Sequence, residues 1–284
     1  MIRFAKASDH PQLKTLWAEV FGDSDAAINL YFSMRHADDN MLVDVRDHRI
    51  SGMLSMLPVT LRSGDGSSYP ARYLYAVATD AHYRGQGIST ELLATAHNHM
   101  KALGEAAGIL VPASSSLFDF YARRGYATAF YLDVASIHAS ALPPCPALGK
   151  VSPCSVTEYI RIRNLAFQNS SLYACWDERA VSYSLQSLAN TGGAAMITWK
   201  NGYGCAAWEK TTDGIFVREL ALPQGNPYEA LAVLHRSLLA THYTVRLAQS
   251  PAAGSDPRPF GMIRWLIPEP SLAGEPPYLS LAMD

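Results

Sequence analysis

Arg84-Gly85-Gln86-Gly87-Ile88-Ser89 is the stretch whose reading decides the fold. It lies between an apolar, strand-like run, Tyr73-Leu74-Tyr75-Ala76-Val77-Ala78, and an amphipathic helical pattern from Thr90 to Leu103. Two glycines bare the backbone where a strand turns into a helix. The first turn of such a helix presents unpaired N–H groups at the positive end of its dipole. That arrangement seats a phosphate or pyrophosphate.

Upstream of the turn the pattern is antiparallel. Ile2 to Ala5 reads as a strand, and Asp9, Pro11 and Gln12 open a helix with Leu13, Leu16, Trp17, Val20 and Phe21 at helical spacing. Gly22 ends it, and a second helix carries Ile28, Tyr31 and Phe32 on one face. Met41–Val45 and Ile50–Leu57 form a hairpin across Arg46-Asp47-His48-Arg49, and a further turn at Ser63-Gly64-Asp65-Gly66 leads into Arg72–Ala78. Downstream, Leu92, Leu93, Ala96, Met100 and Leu103 share a helix face that Gly104 closes. A strand over Gly108–Val111, a short helix over Leu117–Arg124 stopped by Gly125, and a strand over Ala127–Val134 follow.

Ala141-Leu142-Pro143-Pro144-Cys145-Pro146 reads as a linker. Beyond it the order partly repeats. Helical patterns cover Val156–Phe167 and Glu178–Leu188, and Ala194–Trp199 pairs with Gly204–Lys210 across Asn201-Gly202. A strand over Ile215–Leu220, a helix over Tyr228–Ala240 and a strand over Thr244–Ala248 complete what looks like a diverged copy of the first half.

Gly85-Gln86-Gly87-Ile88-Ser89-Thr90 imitates a dinucleotide fingerprint, but its third glycine is Thr90 and it follows antiparallel strands rather than opening a parallel unit. Glu105, near the distance expected of a ribose ligand, falls at a helix end. A Walker loop is excluded because no Gly-Lys-Ser/Thr is present. The chain of 284 residues is 49% hydrophobic and 17% charged, a globular composition with ample core, and its net charge of −2 with no long basic run gives nucleic acid no footprint. No apolar run spans a membrane and the start lacks a signal-peptide core. Cys145, Cys154, Cys175 and Cys205 have no C-x-x-C spacing and read as reduced thiols of a cytoplasmic protein. No H-E-x-x-H or Cys/His cluster appears, so no metal is assigned.

Val77-Ala78-Thr79, then Arg84 to Ser89, then Phe120-Tyr121-Ala122-Arg123-Arg124-Gly125-Tyr126 resemble the GNAT superfamily of N-acetyltransferases. In its pyrophosphate signature, Gln/Arg-x-x-Gly-x-Gly/Ala, the fixed places are Arg84, Gly87 and Ser89, with Ser89 atypical but small. A second signature, a Tyr followed by Gly and an aromatic, is met by Tyr121, Gly125 and Tyr126, while Ser114 stands where the family often has Asn. The resemblance implies an α/β (α+β) fold: a mixed, mostly antiparallel sheet flanked by helices over residues 1–138, then a second, degenerate GNAT-like domain over 147–284. Pro259 to Arg264 and Tyr278 to Asp284 look like the tail of that second domain, as in acetyltransferases of the enhanced-intracellular-survival type. The second half has no glycine pair after Ile215–Leu220, only Pro223-Gln224-Gly225-Asn226-Pro227, so no cofactor is expected there.

The resemblance implies an acetyl-CoA-dependent N-acyltransferase acting on a primary amine, either a small molecule or a peptide, with coenzyme A as the only cofactor. Backbone N–H groups of Gly85, Gln86, Gly87, Ile88, Ser89 and Thr90 would hold the pyrophosphate, Arg84 a phosphate, and Val77, Ala78 and Thr79 the pantetheine arm, beside a bulge that splays this strand from the next. Ser114 would contact the cofactor and Tyr121 would protonate the leaving thiolate. Arg72–Thr79 contains no acidic residue to act as base. Asp80 and His82 read as turn and solvated residues. In relatives of this layout the C-terminal carboxylate enters the active site, which makes Asp284 a candidate beside water-relayed deprotonation. Trp17, Phe21, Tyr31 and Phe32 are candidates for the acceptor pocket. A non-catalytic acyl-CoA-binding or sensor protein is the alternative, and self-association is left open.

Overall fold

In the computed structural model, which describes residues 1–249 and 257–281, the first elements are β1 (Ile2–Phe4), α1 (His10–Phe21), α2 (Asp25–Met34), β2 (Met41–Arg46), β3 (Arg49–Arg62) and β4 (Ser68–Thr79). They are followed by α3 (Ile88–Ala102), β5 (Ala107–Leu110), α4 (Ser115–Ala122) and β6 (Ala127–His138). The later elements are β7 (Lys150–Ser152), α5 (Val156–Phe167), β8 (Tyr173–Cys175), α6 (Glu178–Leu188), β9 (Gly192–Trp199) and β10 (Gly202–Thr211). The described part ends with β11 (Gly214–Gln224), α7 (Pro227–Leu238), β12 (His242–Ala248) and β13 (Arg258–Trp265). The fold is mixed α/β with mostly antiparallel strand pairs.

Two units share these elements. The first comprises Met1–Leu61, Ser68–Thr128 and Gly261–Pro270. Its strands run in the order β1-β2-β3-β4-β5-β13. β1·β2, β2·β3 and β5·β13 are antiparallel, and β4·β5 is parallel. Asp47 and His48 take φ of 47° and 63°, the left-handed pair that a tight β2–β3 turn requires. Gly22, with φ 72°, closes α1, and the Ser24 hydroxyl caps α2 by accepting from the Ala27 N–H at 3.3 Å. The apolar stripe of α3, Ile88, Leu92, Leu93, Ala96 and Met100, is buried against Leu42, Leu54, Met56, Leu74, Leu110, Tyr121, Tyr126 and Met262.

The second unit comprises Arg62–Ser67, Ala129–Phe260 and Ser271–Asp284. Its strand order, β7-β9-β10-β11-β12-β6, repeats that of the first. The parallel pair is again the fourth and fifth strands, β11·β12, and the long helix α7 follows the fourth, as α3 does. At its centre Arg163, 1% exposed, donates from Nε to Glu219 Oε1 at 3.0 Å, while Tyr159 and Tyr278 donate to the same carboxylate at 2.9 and 3.3 Å. Glu219 is wholly buried, and these partners satisfy it.

The units do not divide the chain at the linker. β6, expected before the boundary at 138, pairs along its length with β12, from Leu132↔Ala248 to His138↔His242. β13, read as part of the tail of the second half, pairs with β5 from Met262↔Leu110 to Trp265↔Ala107. Each sheet thus takes its last strand from the other half of the chain. The reason is the unpaired edge that β5 or β12 would otherwise present, which backbone hydrogen bonds must fill. The Asn201-Gly202 turn is also one residue earlier than expected, because Gly202 already pairs with Trp199. No helix among the described residues is long and apolar enough to cross a membrane.

Candidate functional site

The site is built where β4 hands over to α3. Ala76 takes a left-handed φ of 51° inside β4. A non-glycine residue there is strained by about 1–3 kcal/mol and bends the strand. β4 pairs in parallel with β5 at Ala71, Arg72 and Tyr73. The kink at Ala76 then turns the end of the strand, with Val77 and Thr79 half-buried and Ala78 buried. The Arg72 guanidinium pairs with Glu105 across the base of this region at 2.5 Å, so Glu105 is committed to an ion pair.

Past β4, Asp80 accepts from the His82 N–H at 2.8 Å and from its ring at 3.0 Å, and the His82 side chain is 90% exposed, so both are turn residues. Gly85 and Gly87 have φ of 77° and 82°. A Cβ at either would meet no atom within 4 Å, so these glycines serve backbone conformation and leave open space around the turn. Gly87 is the N-cap of α3 and has no side chain to cap the first-turn N–H groups. Ile88 buries its side chain in the core and leaves only its backbone to the turn. Ser89 is tied to Thr79 by a hydroxyl–hydroxyl contact of 2.8 Å, which joins the end of β4 to the first turn of α3.

Three guanidinium groups surround this helix start. Arg84 is exposed and reaches the Thr79 carbonyl at 3.4 Å. Arg46 donates to Gln86 Oε1 at 2.9 Å. Arg124 donates from Nε to Thr90 Oγ1 at 3.1 Å while lying 3.4 Å over the Phe120 ring. Only Arg84 was expected from the sequence. Arg46 sits in a hairpin remote in sequence, and Arg124 was visible only as part of the Tyr121 signature. Gly52 was also missed: a Cβ there would come within 2.6 Å of Ile88 Cγ2 and 3.1 Å of the Ala78 carbonyl, so β3 approaches the turn closely only because this position is glycine.

α4 supplies Tyr121, 7% exposed, which packs in the same cluster as Ile88, Leu92 and Leu93. Burial pushes its phenol up to about 12, and Arg124 pulls weakly the other way. Its hydroxyl has no hydrogen-bond partner among the described residues, and it is not one of the fully enclosed unpartnered oxygens. Next to it, Tyr126 and His97 form a buried bond of 2.7 Å. Arg264 Nη1 lies 3.0 Å from His97 Nδ1 and donates to the Arg124 carbonyl at 2.7 Å. A guanidinium has only donors, so His97 Nδ1 carries the lone pair and Nε2–H donates to the Tyr126 oxygen. Burial, with Arg264 and Lys101, holds His97 down at about 4, and burial raises Tyr126. Ser114 is exposed at the start of α4, bonds Ser116 at 3.1 Å and does not cap the helix with its side chain. Asp284 lies outside the described residues.

With a strand kink, a glycine-capped helix and an enclosed tyrosine in one unit, the match with known families is specific. Residues 1–129 match the family model of the acetyltransferase (GNAT) domain. The N-terminal part of the chain is thus similar to an acetyltransferase (GNAT) domain. No curated protein matches it. Among solved structures it is similar to a GCN5-related N-acetyltransferase from Anabaena variabilis, at 20% identity, over 94% of this chain and 73% of that one, with a TM-score of 0.76. A probable N-acyltransferase from Enterococcus faecalis is similar at 15% identity over 94% and 72%, TM-score 0.74. Eis1 from Mycobacterium abscessus is similar at 14% identity over 94% and 73%, TM-score 0.69. At these identities the likeness is one of fold, and it extends through the second unit as well as the first.

Proposed function

We propose that the protein transfers the acetyl group of acetyl-CoA directly to a primary amine, a small molecule or a peptide, with Tyr121 as general acid. The observation that carries this reading is the uncapped start of α3 at Gly87, ringed by Arg46, Arg84 and Arg124 and joined through Arg124 to the helix of Tyr121. The N–H groups from Gly85 to Thr90 hold the pyrophosphate, and the three guanidinium groups neutralise the phosphates of the nucleotide. Val77, Ala78 and Thr79, past the kink at Ala76, pair main chain to main chain with the pantetheine arm. Ser114 contributes a hydroxyl to the cofactor.

The neutral amine attacks the thioester carbonyl, the C–S bond breaks, and the sulfur takes the proton of the Tyr121 hydroxyl. The nitrogen's surplus proton leaves through water and restores the phenol, so the products are the amide and free coenzyme A. A phenol held at about 12 stays protonated at neutral pH and suits the donor role rather than the base. Before the attack, Asp284 or ordered water takes the extra proton of the ammonium form, so that the amine enters neutral. The N-terminal unit is the acetyl-CoA domain and the second unit a degenerate copy, in a cytoplasmic protein.

Release of free thiol from acetyl-CoA across a panel of primary amines tests the reading. Turnover with at least one amine, largely lost in Tyr121→Phe with acetyl-CoA affinity kept, is expected. Tight binding of acetyl-CoA with no turnover on any amine, and no effect of Tyr121→Phe, would mark an acyl-CoA-binding protein instead.

A further inference from the structure

Away from the glycine turn, three polar side chains of the first unit converge on one point. His10 opens α1, His36 follows α2, and Asp38 lies in the short turn that leads into β2. His10 Nε2 is 2.7 Å and His36 Nε2 2.9 Å from the same oxygen, Asp38 Oδ1, and the two ring nitrogens are 3.1 Å apart. Protons serve such a triangle poorly. If both rings donate to Asp38, their two Nε2–H groups stand side by side with the nitrogens 3.1 Å apart; if one Nε2 is unprotonated, its lone pair faces the acceptor-only carboxylate oxygen at 2.7 or 2.9 Å. One cation in the middle satisfies all three donor atoms at once.

We infer that His10, His36 and Asp38 form a binding site for a borderline transition-metal ion of the zinc class. Two imidazole nitrogens with one carboxylate oxygen suit zinc, cobalt, nickel or copper, whereas calcium and magnesium call for oxygen-only shells. Ligands at 2.0–2.1 Å around tetrahedral zinc stand about 3.3 Å apart. The present edges of 2.7, 2.9 and 3.1 Å reach that spacing by side-chain rotation of a few tenths of an ångström. His36 is a buried anchor, 4% exposed at its side chain, and the Phe32 ring stacks on it with centroids 4.6 Å apart and planes at 27°. His10 and Asp38 keep 34% and 39% exposure, which gives the ion an entry path and leaves a fourth position for water. The ion would tie the start of α1 to the connection between α2 and β2, the pair of helices that bears Trp17, Tyr31 and Phe32.

The full chain, freed of metal and titrated with cobalt(II), tests this by the visible absorption of tetrahedral cobalt, followed by zinc competition and direct metal analysis. One equivalent with micromolar or tighter affinity is expected. His10→Ala with Asp38→Asn, both at partly exposed positions, should weaken binding at least a hundredfold and leave acetyl-CoA affinity unchanged, which keeps the result separate from the acyl-transfer reading. The thermal midpoint of the wild type, and not of the double variant, should rise with zinc. No uptake by the wild type, uptake beyond a micromolar dissociation constant, or a loss of less than tenfold in the double variant overturns the assignment.

Discussion

Helices α3 and α7 occupy equivalent places in their units, each following the fourth strand of its sheet, and they begin in opposite ways. α3 starts at Gly87, with no capping side chain, open space where a Cβ would lie, and three arginines at hand. α7 starts at Asn226, whose side chain accepts from the Tyr228 N–H at 2.8 Å. Before it, Gly225 has φ 114°, and a Cβ there would come within 2.3 Å of Trp199 Cζ2. The Trp199 indole in turn donates to Glu229, an acid in the first turn of the helix, at 2.9 Å. One helix start therefore offers N–H groups, space and positive charge. The other has an asparagine side chain on its Tyr228 N–H and the space before it filled by Trp199. Shared topology carries no ligand site by itself; the cap residue and its neighbours decide it.

The comparison breaks most directly at the chemistry. Tyr121→Phe should lower kcat by about a thousandfold, within the range of general acid catalysis, and leave the dissociation constant of acetyl-CoA within about twofold by calorimetry. If affinity rather than kcat collapses, Tyr121 is part of the binding surface. Gly87→Asp gives α3 an acidic cap of the kind that closes a helix start. Acetyl-CoA binding should weaken by about a hundredfold, through lost N–H groups and repulsion, with a smaller loss of stability.

Acid provides a third test, of stability rather than binding. His97 has a folded-state pKa of about 4, below the ordinary imidazole value of 6.5. The unfolded chain therefore binds more protons between pH 6.5 and 4, and stability falls as pH drops through that window, by roughly 3 kcal/mol. His97→Gln should remove most of this slope in unfolding curves recorded across that range. Arg124→Gln is expected to weaken acetyl-CoA about tenfold and to flatten the salt dependence of binding. The smallest effect belongs to the closed helix. Asn226→Ala should cost about 1 kcal/mol of stability, as lost N-caps do, with acetyl-CoA affinity unmoved. A change in affinity there would mean that the second helix start takes part after all.

Much of this was legible in the sequence because its signals are local. Gly85 and Gly87 announce left-handed backbone, the stripe from Leu92 to Met100 announces a buried helix face, and Tyr121 with Gly125 and Tyr126 identifies the second motif. β7, β8 and β13 were not legible: they are short, or they owe their pairing to a partner far along the chain. Arg46 and Gly52 gave no sign of their nearness to the turn, since nothing within a few residues of either says which strand lies beside it.

The sequence by itself determined the place of the glycine turn, the helix that follows it and the tyrosine motif after that, because each is encoded within one short local segment. Only the tertiary structure decided that the last strand of each sheet comes from the other half of the chain, that three arginines ring α3 while Trp199 and Asn226 close α7, and that His10, His36 and Asp38 meet. Those arrangements depend on unpaired edges, packed volumes and donor atoms drawn together from distant positions, and no local pattern records them.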